Sequence, residues 1–202
     1  MIECVVSDSS FFSCFSKDLN NKDILYHIIN LYQFIIGTEL HREISTHLSD
    51  EDKFFTNVSH FDYEYDYHSL ILPFLTRNQK HLKDGEYEAI GISYFIKTEG
   101  DILGLKLKYL IIDESKGRNF VSKYFPLLVD NLVGTIGFIR DCCLKDKKIS
   151  CKSALSILYC IKKKVEIYLE KGGKRPCSMD SKSYAEILLP IIKIIEGDPE
   201  NG

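Results

Sequence analysis

The chain has 202 residues, 45% hydrophobic and 27% charged, with a formal net charge of -3. That supply of Ile, Leu, Val and Phe excludes disorder as the main state, and the slight acidity excludes a generally basic nucleic-acid coat while leaving room for local basic strips. The length suits one domain of ~150 residues with an extension, or two very small domains. No apolar run reaches the ~20 residues of a bilayer span; the longest, Ile187 to Ile195, is broken by Pro190 and Lys193. The opening residues, MIECVVSDSS, carry neither a basic segment nor a long apolar one, so no signal peptide is expected. Seven cysteines without a CxxC pair point to a reduced, cytoplasmic protein with small buried thiols. A zinc site on Cys142, Cys143 and Cys151 is the alternative for three of them.

In chain order, Ile2 to Val6 is a short β-branched run that predicts a buried strand and delivers Asp8 at its carboxyl end. A helix starts near Phe11, and a clearer one runs from Asp23 to Leu31. Phe34 to Ile36 predicts a second strand, and Glu39 to Leu48 a helix with Thr38 as its N-cap. Phe61 to Tyr67 alternates strictly between aromatic and acidic residues, the period of a half-exposed strand. Leu70 to Leu75, with Pro73 inside, reads as irregular or as an edge. Asp84 to Thr98 predicts a helix, Leu103 to Leu107 is ambiguous, and Tyr109 to Ile112 predicts a strand ending in Asp113-Glu114. Ser115 to Phe125 is helical, and Leu127 to Val129 or Leu132-Val133 offers a further strand. Helices follow at Ile136 to Leu144, at Ser153 to Leu169 (stopped by Gly172-Gly173) and at Ser181 to Ile195, bent near Pro190.

Strands that alternate with helices predict an α/β fold, a parallel sheet covered on both faces. Ligands of such sheets lie beyond the carboxyl ends of the strands, where this reading puts Asp8 and Asp113. Carboxylates converging there repel one another unless a cation joins them. Asp8, Glu39 or Glu43, Glu86 or Glu88, and Asp113 or Glu114 are the candidates for holding one or two Mg²⁺ or Mn²⁺ ions, which take oxygen ligands. The lysines at 162–164, with Lys171, Lys174 and Arg175, form the longest basic region and read as a solvated helix face or an extension of a nucleic-acid path. No histidine pair has zinc-hydrolase spacing, and no glycine-rich segment matches a P-loop or dinucleotide fingerprint.

Five segments in order resemble the PIN-domain nuclease family. Val5-Val6-Ser7-Asp8-Ser9-Ser10 is similar to its opening strand with a terminal metal-binding Asp. Ile36-Gly37-Thr38-Glu39-Leu40-His41-Arg42-Glu43-Ile44 resembles the step that supplies the second acid, with Glu43 in register and Glu39 in a competing alignment. Gly85-Glu86-Tyr87-Glu88-Ala89-Ile90 resembles a Gly-Glu-x-Glu-Ala-Ile helix start. Leu110 to Arg118 resembles a strand followed by Asp-Asp-x-Lys-x-Arg, with Glu114 in place of the second Asp. Val133-Gly134-Thr135-Ile136-Gly137 resembles a Gly-Thr-Leu-Gly segment, with Thr135 matched where a final Asp is lacking.

The resemblance spans roughly residues 1–150 and leaves 151–202 as a helical extension packed on that domain. It implies a three-layer α/β/α fold and a metal-dependent endoribonuclease, a toxin or defence effector, using Mg²⁺ or Mn²⁺. Asp8, Glu43, Glu86 and Asp113 would be its catalytic acids, with Glu114 joining Asp8, Glu43 and Asp113 as metal ligands. Ser9, Ser10, Lys116, Arg118 and Thr135 would contact substrate. An antitoxin or other regulatory protein, and a second copy of the chain, are the implied partners besides RNA; no membrane is involved. A catalytically inactive PIN-like module that binds a protein partner is the alternative.

Overall fold

The computed structural model describes residues 1–48, 55, 58–61, 66–75 and 85–198. Strand β1 (Ile2–Ser7) leads into α1 (Ser9–Ser13), which continues as a π-helical turn over Cys14–Asp18. Then come α2 (Lys22–Ile29), β2 (Gln33–Ile36), α3 (Thr38–Ile44) and β3 (Val58–His60). They are followed by α4 (Tyr67–Ile71), α5 (Gly85–Leu103), β4 (Leu105–Ile111) and α6 (Ser115–Tyr124). Strand β5 (Leu132–Val133) precedes α7 (Thr135–Leu144) and α8 (Cys151–Lys171). A short α9 (Ser181–Ser183), a π-helical turn over Tyr184–Leu188 and α10 (Leu189–Glu196) end the described chain. No helix among the described residues is long and apolar enough to cross a membrane.

The sheet is all parallel, in the order β3-β2-β1-β4-β5. Its alternation feeds two cores. Val5, Phe34, Ile36, Tyr109 and Ile111 face one side, under α1, α2, α7, α8 and α10. Cys4, Val6, Ile35, Leu110 and Ile112 face the other, under α4, α5 and α6. The result is a three-layer α/β/α fold, as the alternation of elements predicts. One irregularity keeps the two faces in step: the register shifts between Cys4 and Val5, so that Cys4 pairs with Leu107 and Val5 with Tyr109. The extra residue, Lys108, resets the in-out alternation of β4. Its amine pairs with Glu3 at 2.8 Å and with Asp146 at 3.0 Å. Asp146 also accepts from the hydroxyls of Tyr32 and Tyr109, tying the end of α7 to the sheet.

Several boundaries differ from the pattern reading. Of the alternating Phe61 to Tyr67 segment, residues 62–65 lie outside the described residues, and Tyr67 opens a helix instead. Asp66 caps that helix by accepting from Ser69 N at 3.1 Å; the strand lies upstream, at Val58–His60. Leu72–Phe74, around Pro73, is a single 3-10 turn. Asp84, read as the opening of α5, also lies outside the described residues. The ambiguity at Leu103 resolves at Gly104, whose φ of +66° ends α5 and lets β4 begin. Of the two strand candidates near residue 130, Leu132–Val133 pairs with β4, whereas Pro126–Asn131 forms 3-10 turns.

The C-terminal helices belong to the first core. Ser150 caps α8 by accepting from Ser153 N at 3.1 Å, and Gly172 stops it at φ +73°. Ala154, Leu158, Ile161, Val165, Leu188 and Ile195 are fully buried against the sheet domain. The cysteines correct one expectation. Cys14 and Cys177 form a disulfide that joins the N-terminal π-helical turn to the segment before α9, whereas Cys4, Cys142, Cys143, Cys151 and Cys160 are free. Cys143 and Cys151 lie 3.1 Å apart at sulfur. Among the described residues, no group of three or more His, Cys, Asp or Glu side chains is placed to hold a metal ion, so the cysteine triplet does not assemble a zinc site.

Candidate functional site

The carboxyl edge of the sheet brings Asp8 and Asp113 together. Asp8 follows β1 and caps α1, its Oδ1 accepting from Ser10 N at 3.0 Å and from Phe11 N at 3.3 Å. It is only 4% exposed. Asp113 follows β4, and its carboxylate is held by the start of α7: Thr135 N donates to Oδ1 at 2.7 Å and Thr135 Oγ1 to Oδ2 at 2.6 Å. The Ser10 hydroxyl stands between the two acids. It donates to Asp8 Oδ1 and lies 3.4 Å from Asp113 Oδ2. A hydroxyl has one proton, so it cannot satisfy two carboxylates at once. The electrostatics agree. Burial, together with the Asp113 charge, pushes the Asp8 carboxyl from 3.8 up to about 8. Burial also raises Asp113, against the opposing hydrogen bonds of Thr135 and the charge of Arg118.

Two further side chains complete this edge. The Glu86 charge adds to the field that raises Asp8. Glu86 lies so close to α6 that a Cβ at Gly117 would overlap its Oε1, so glycine is what admits the carboxylate there. Arg118 faces Asp113 and comes within 3.4 Å of Ile112 O through Nη1.

A second pair of acids has a different task. Glu43, on α3, accepts from Gly85 N at 2.7 Å, the first residue of α5. Glu88, on α5, accepts from Glu39 N at 3.0 Å and Leu40 N at 2.7 Å, in the first turn of α3. The two helices exchange carboxylates at their N-termini, where a negative charge meets unpaired N–H groups and the positive end of the dipole. This corrects the expected Thr38 cap: the cap position is Gly37, and Glu88 supplies the acceptors from a distance. A Cβ at Gly37 would collide with that carboxylate, with Oε2 at 2.7 Å. Burial raises the Glu88 carboxyl above its ordinary value despite these bonds.

Glu88→Gln is therefore expected to cost stability. An amide keeps one acceptor and turns an NH₂ toward the other N–H, which amounts to about 1–2 kcal/mol and a fall in Tm of roughly 3–6 °C for a chain of this size. Thermal melts at neutral pH check this against Glu39→Gln, which only breaks the surface pair with Arg42 and should leave Tm within about 1 °C.

Of the residues singled out from sequence, Asp8, Ser10, Asp113 and Thr135 meet through hydrogen bonds, with Glu86 and Arg118 beside them. Glu43 is engaged at the start of α5. Glu114 is exposed at the N-terminal boundary of α6 and makes no side-chain cap bond. Lys116 is exposed, Ser9 is half-buried as the first residue of α1, and Lys163 and Lys164 are exposed on α8. Sequence reasoning names Gly137 only as part of the Gly-Thr-Leu-Gly-like segment and does not single out Arg140; both border a pocket next to Asp113. No local pattern marks the pocket itself, because the opposite wall comes from residues 177–191.

The chain matches no family model, no curated protein and no solved structure.

The donor set at Asp8 and Asp113 suits a small hard cation. Two carboxylates with hydroxyl oxygens beside them leave an electrostatic deficit that a divalent ion offsets. Mg²⁺ takes one or two carboxylates and keeps its other positions for water and phosphate oxygens, without a full protein cage.

Proposed function

We propose that the chain is a Mg²⁺- or Mn²⁺-dependent endoribonuclease of PIN-like design. The observation that carries this reading is the pairing of the buried Asp8 with the half-buried Asp113 at the carboxyl edge of an all-parallel sheet, bridged by a single Ser10 hydroxyl. Asp8 and Asp113 would hold the ion, with Glu86 contributing charge. When bound, the ion activates water and offsets the charge that develops on a phosphodiester under attack. Thr135 fixes the orientation of Asp113 through two hydrogen bonds, and Ser10 fixes that of Asp8. Arg118 sits beside Asp113, where its guanidinium would reach a phosphate oxygen of the substrate.

Cleavage of single-stranded and structured RNAs in Mn²⁺, compared with the same reaction in chelator, tests the reading. Chelator-sensitive cleavage supports it, and intact RNA in both conditions counts against it. One observation favours a second reading, a module that binds a regulatory protein or a second copy without cutting. Glu43, the second acid of the nuclease pattern, is committed to the α5 N-terminus. The same assay with no cleavage, followed by co-purification with a partner, favours that alternative.

A further inference from the structure

A pocket of about 310 Å³ opens beside Asp113, between the start of α7 and the segment that carries α9 and α10. It falls at the lower end of the size range of ligand sites, ~300–1,000 Å³. Its lining mixes charge with apolar surface: Asp113, Arg118 and Arg140 share it with Ile136 and with an aliphatic wall of Met179, Ile187 and Ile191. Arg140 is oriented by its neighbour: its Nε and Nη2 hold Asp141 at 2.7 and 2.6 Å, which leaves the Nη1 group outside that pair. The wall is anchored covalently, because Cys177, one of the lining residues, is bonded to Cys14 in the π-helical turn that follows α1.

We propose that this pocket binds one nucleotide unit, with the phosphate at Arg118 and Arg140 and the base against the aliphatic wall. The choice of a nucleotide rests on the nuclease reading: a ligand that reaches from the carboxylate pair into the pocket carries an anionic group at one end and a flat, weakly polar ring at the other. The site would then grip the strand one unit away from the bond at Asp8 and Asp113. Specificity among bases would come from the polar groups near the wall, such as Ser178 and Ser183.

Gly137 provides a selective block. A Cβ there meets nothing nearer than Val133 Cβ at 3.9 Å, so a larger side chain grows into open space without moving the backbone. Leucine also has a better helix propensity than glycine by about 0.8 kcal/mol, so the folded state is retained. The experiment is calorimetric titration of the full chain, in chelator, with each 5′-mononucleotide, the matching nucleosides, inorganic phosphate and a dinucleotide. The wild type should bind at least one mononucleotide about tenfold more tightly than phosphate, a difference that Gly137→Leu removes. Arg118→Gln should reduce the mononucleotide to the affinity of its nucleoside. A dinucleotide that binds better than the mononucleotide supports a strand as the source, and the reverse order supports a free nucleotide in the same pocket.

Mononucleotides that bind no better than phosphate, or equally well to Gly137→Leu, overturn the proposal. Because binding is read without cleavage, the two readings fail separately. Nucleotide binding by a protein that never cuts RNA sinks only the nuclease, and cutting without nucleotide binding sinks only the pocket.

Discussion

Asp8→Asn and Asp113→Asn are each expected to lower Mn²⁺-supported RNA cleavage by about 10²–10³-fold. Both acids lie at the carboxyl edge of the sheet, one after β1 and one after β4, and asparagine preserves their shape while removing their charge. The folded frame should survive. An Asn at position 8 still accepts from Ser10 N and Phe11 N, and one at position 113 still accepts from Thr135 N. The double variant should fall no further than the worse single one, because two ligands of one ion act as a unit. Glu43→Gln separates the structural account from the four-acid pattern. With Glu43 holding the start of α5, its substitution should lower stability more than cleavage, by less than about tenfold in rate. Single-turnover cleavage rates at saturating enzyme check all four proteins. Full activity in either Asp variant would remove the carboxylate pair from the chemistry.

The second large effect is on stability. The Asp8 carboxyl is raised from 3.8 to about 8 by burial and by the facing charges of Asp113 and Glu86, with Ser10 and the Phe11 N–H opposing. A carboxyl raised on folding contributes stability that is fully present below its unfolded value, near pH 4. That contribution is lost as pH rises through about 8. In chelator, the wild type should therefore melt at progressively lower temperature from pH 5 to pH 9. Asp8→Asn removes the charge and should flatten this slope, gaining on the order of a few kcal/mol at pH 9, about 5–10 °C in Tm. The variant should gain much less at pH 5, where the folded protein keeps Asp8 protonated and only the start of the slope has been passed. Mn²⁺ at about a hundred times its Kd should raise the wild-type Tm at pH 8 by the equivalent of about 2.7 kcal/mol and leave Asp8→Asn unmoved. Parallel pH profiles for the two proteins would show that the pair carries no such stored repulsion.

What the residue pattern reveals of this arrangement follows from range. Asp8 and Asp113 are legible because each ends a short apolar run in an alternating series of elements, and such ends share one edge of a parallel sheet. Thr135 is legible in the same way, as the second residue after β5 and the first of α7. The tasks of Glu43 and Glu88 are not legible: the exchange depends on how α3 and α5 approach each other, and no spacing between residues 43 and 88 encodes that. Lys108 hides its bulge because it falls between the ambiguous Leu103 to Leu107 segment and the Tyr109 to Ile112 run, where the pattern offers no alternation to interrupt. The Cys14–Cys177 pairing is out of reach for a related reason: seven cysteines admit many connectivities, and the geometry alone selects among them. The π-helical turns at Cys14–Asp18 and Tyr184–Leu188 continue helices whose apolar periodicity is unbroken, so their wider winding leaves no mark.

The place of β1 at the centre of the sheet also governs the order of events during folding. Its two neighbours come from very different distances along the chain: β2 is close behind, but Cys4 pairs with Leu107 across more than a hundred residues. Until β4 is present, one edge of the first strand stays open, and contacts of such high contact order form slowly. Any product that ends before residue 113 lacks one member of the acid pair and the strand that brings it into place. The repulsion between Asp8 and Asp113 thus arises only with the pairing of β4 and β1, the same step that supplies Tyr109 and Ile111 to one core and Leu107 and Leu110 to the other. The cohesion of those cores is what holds the charges together.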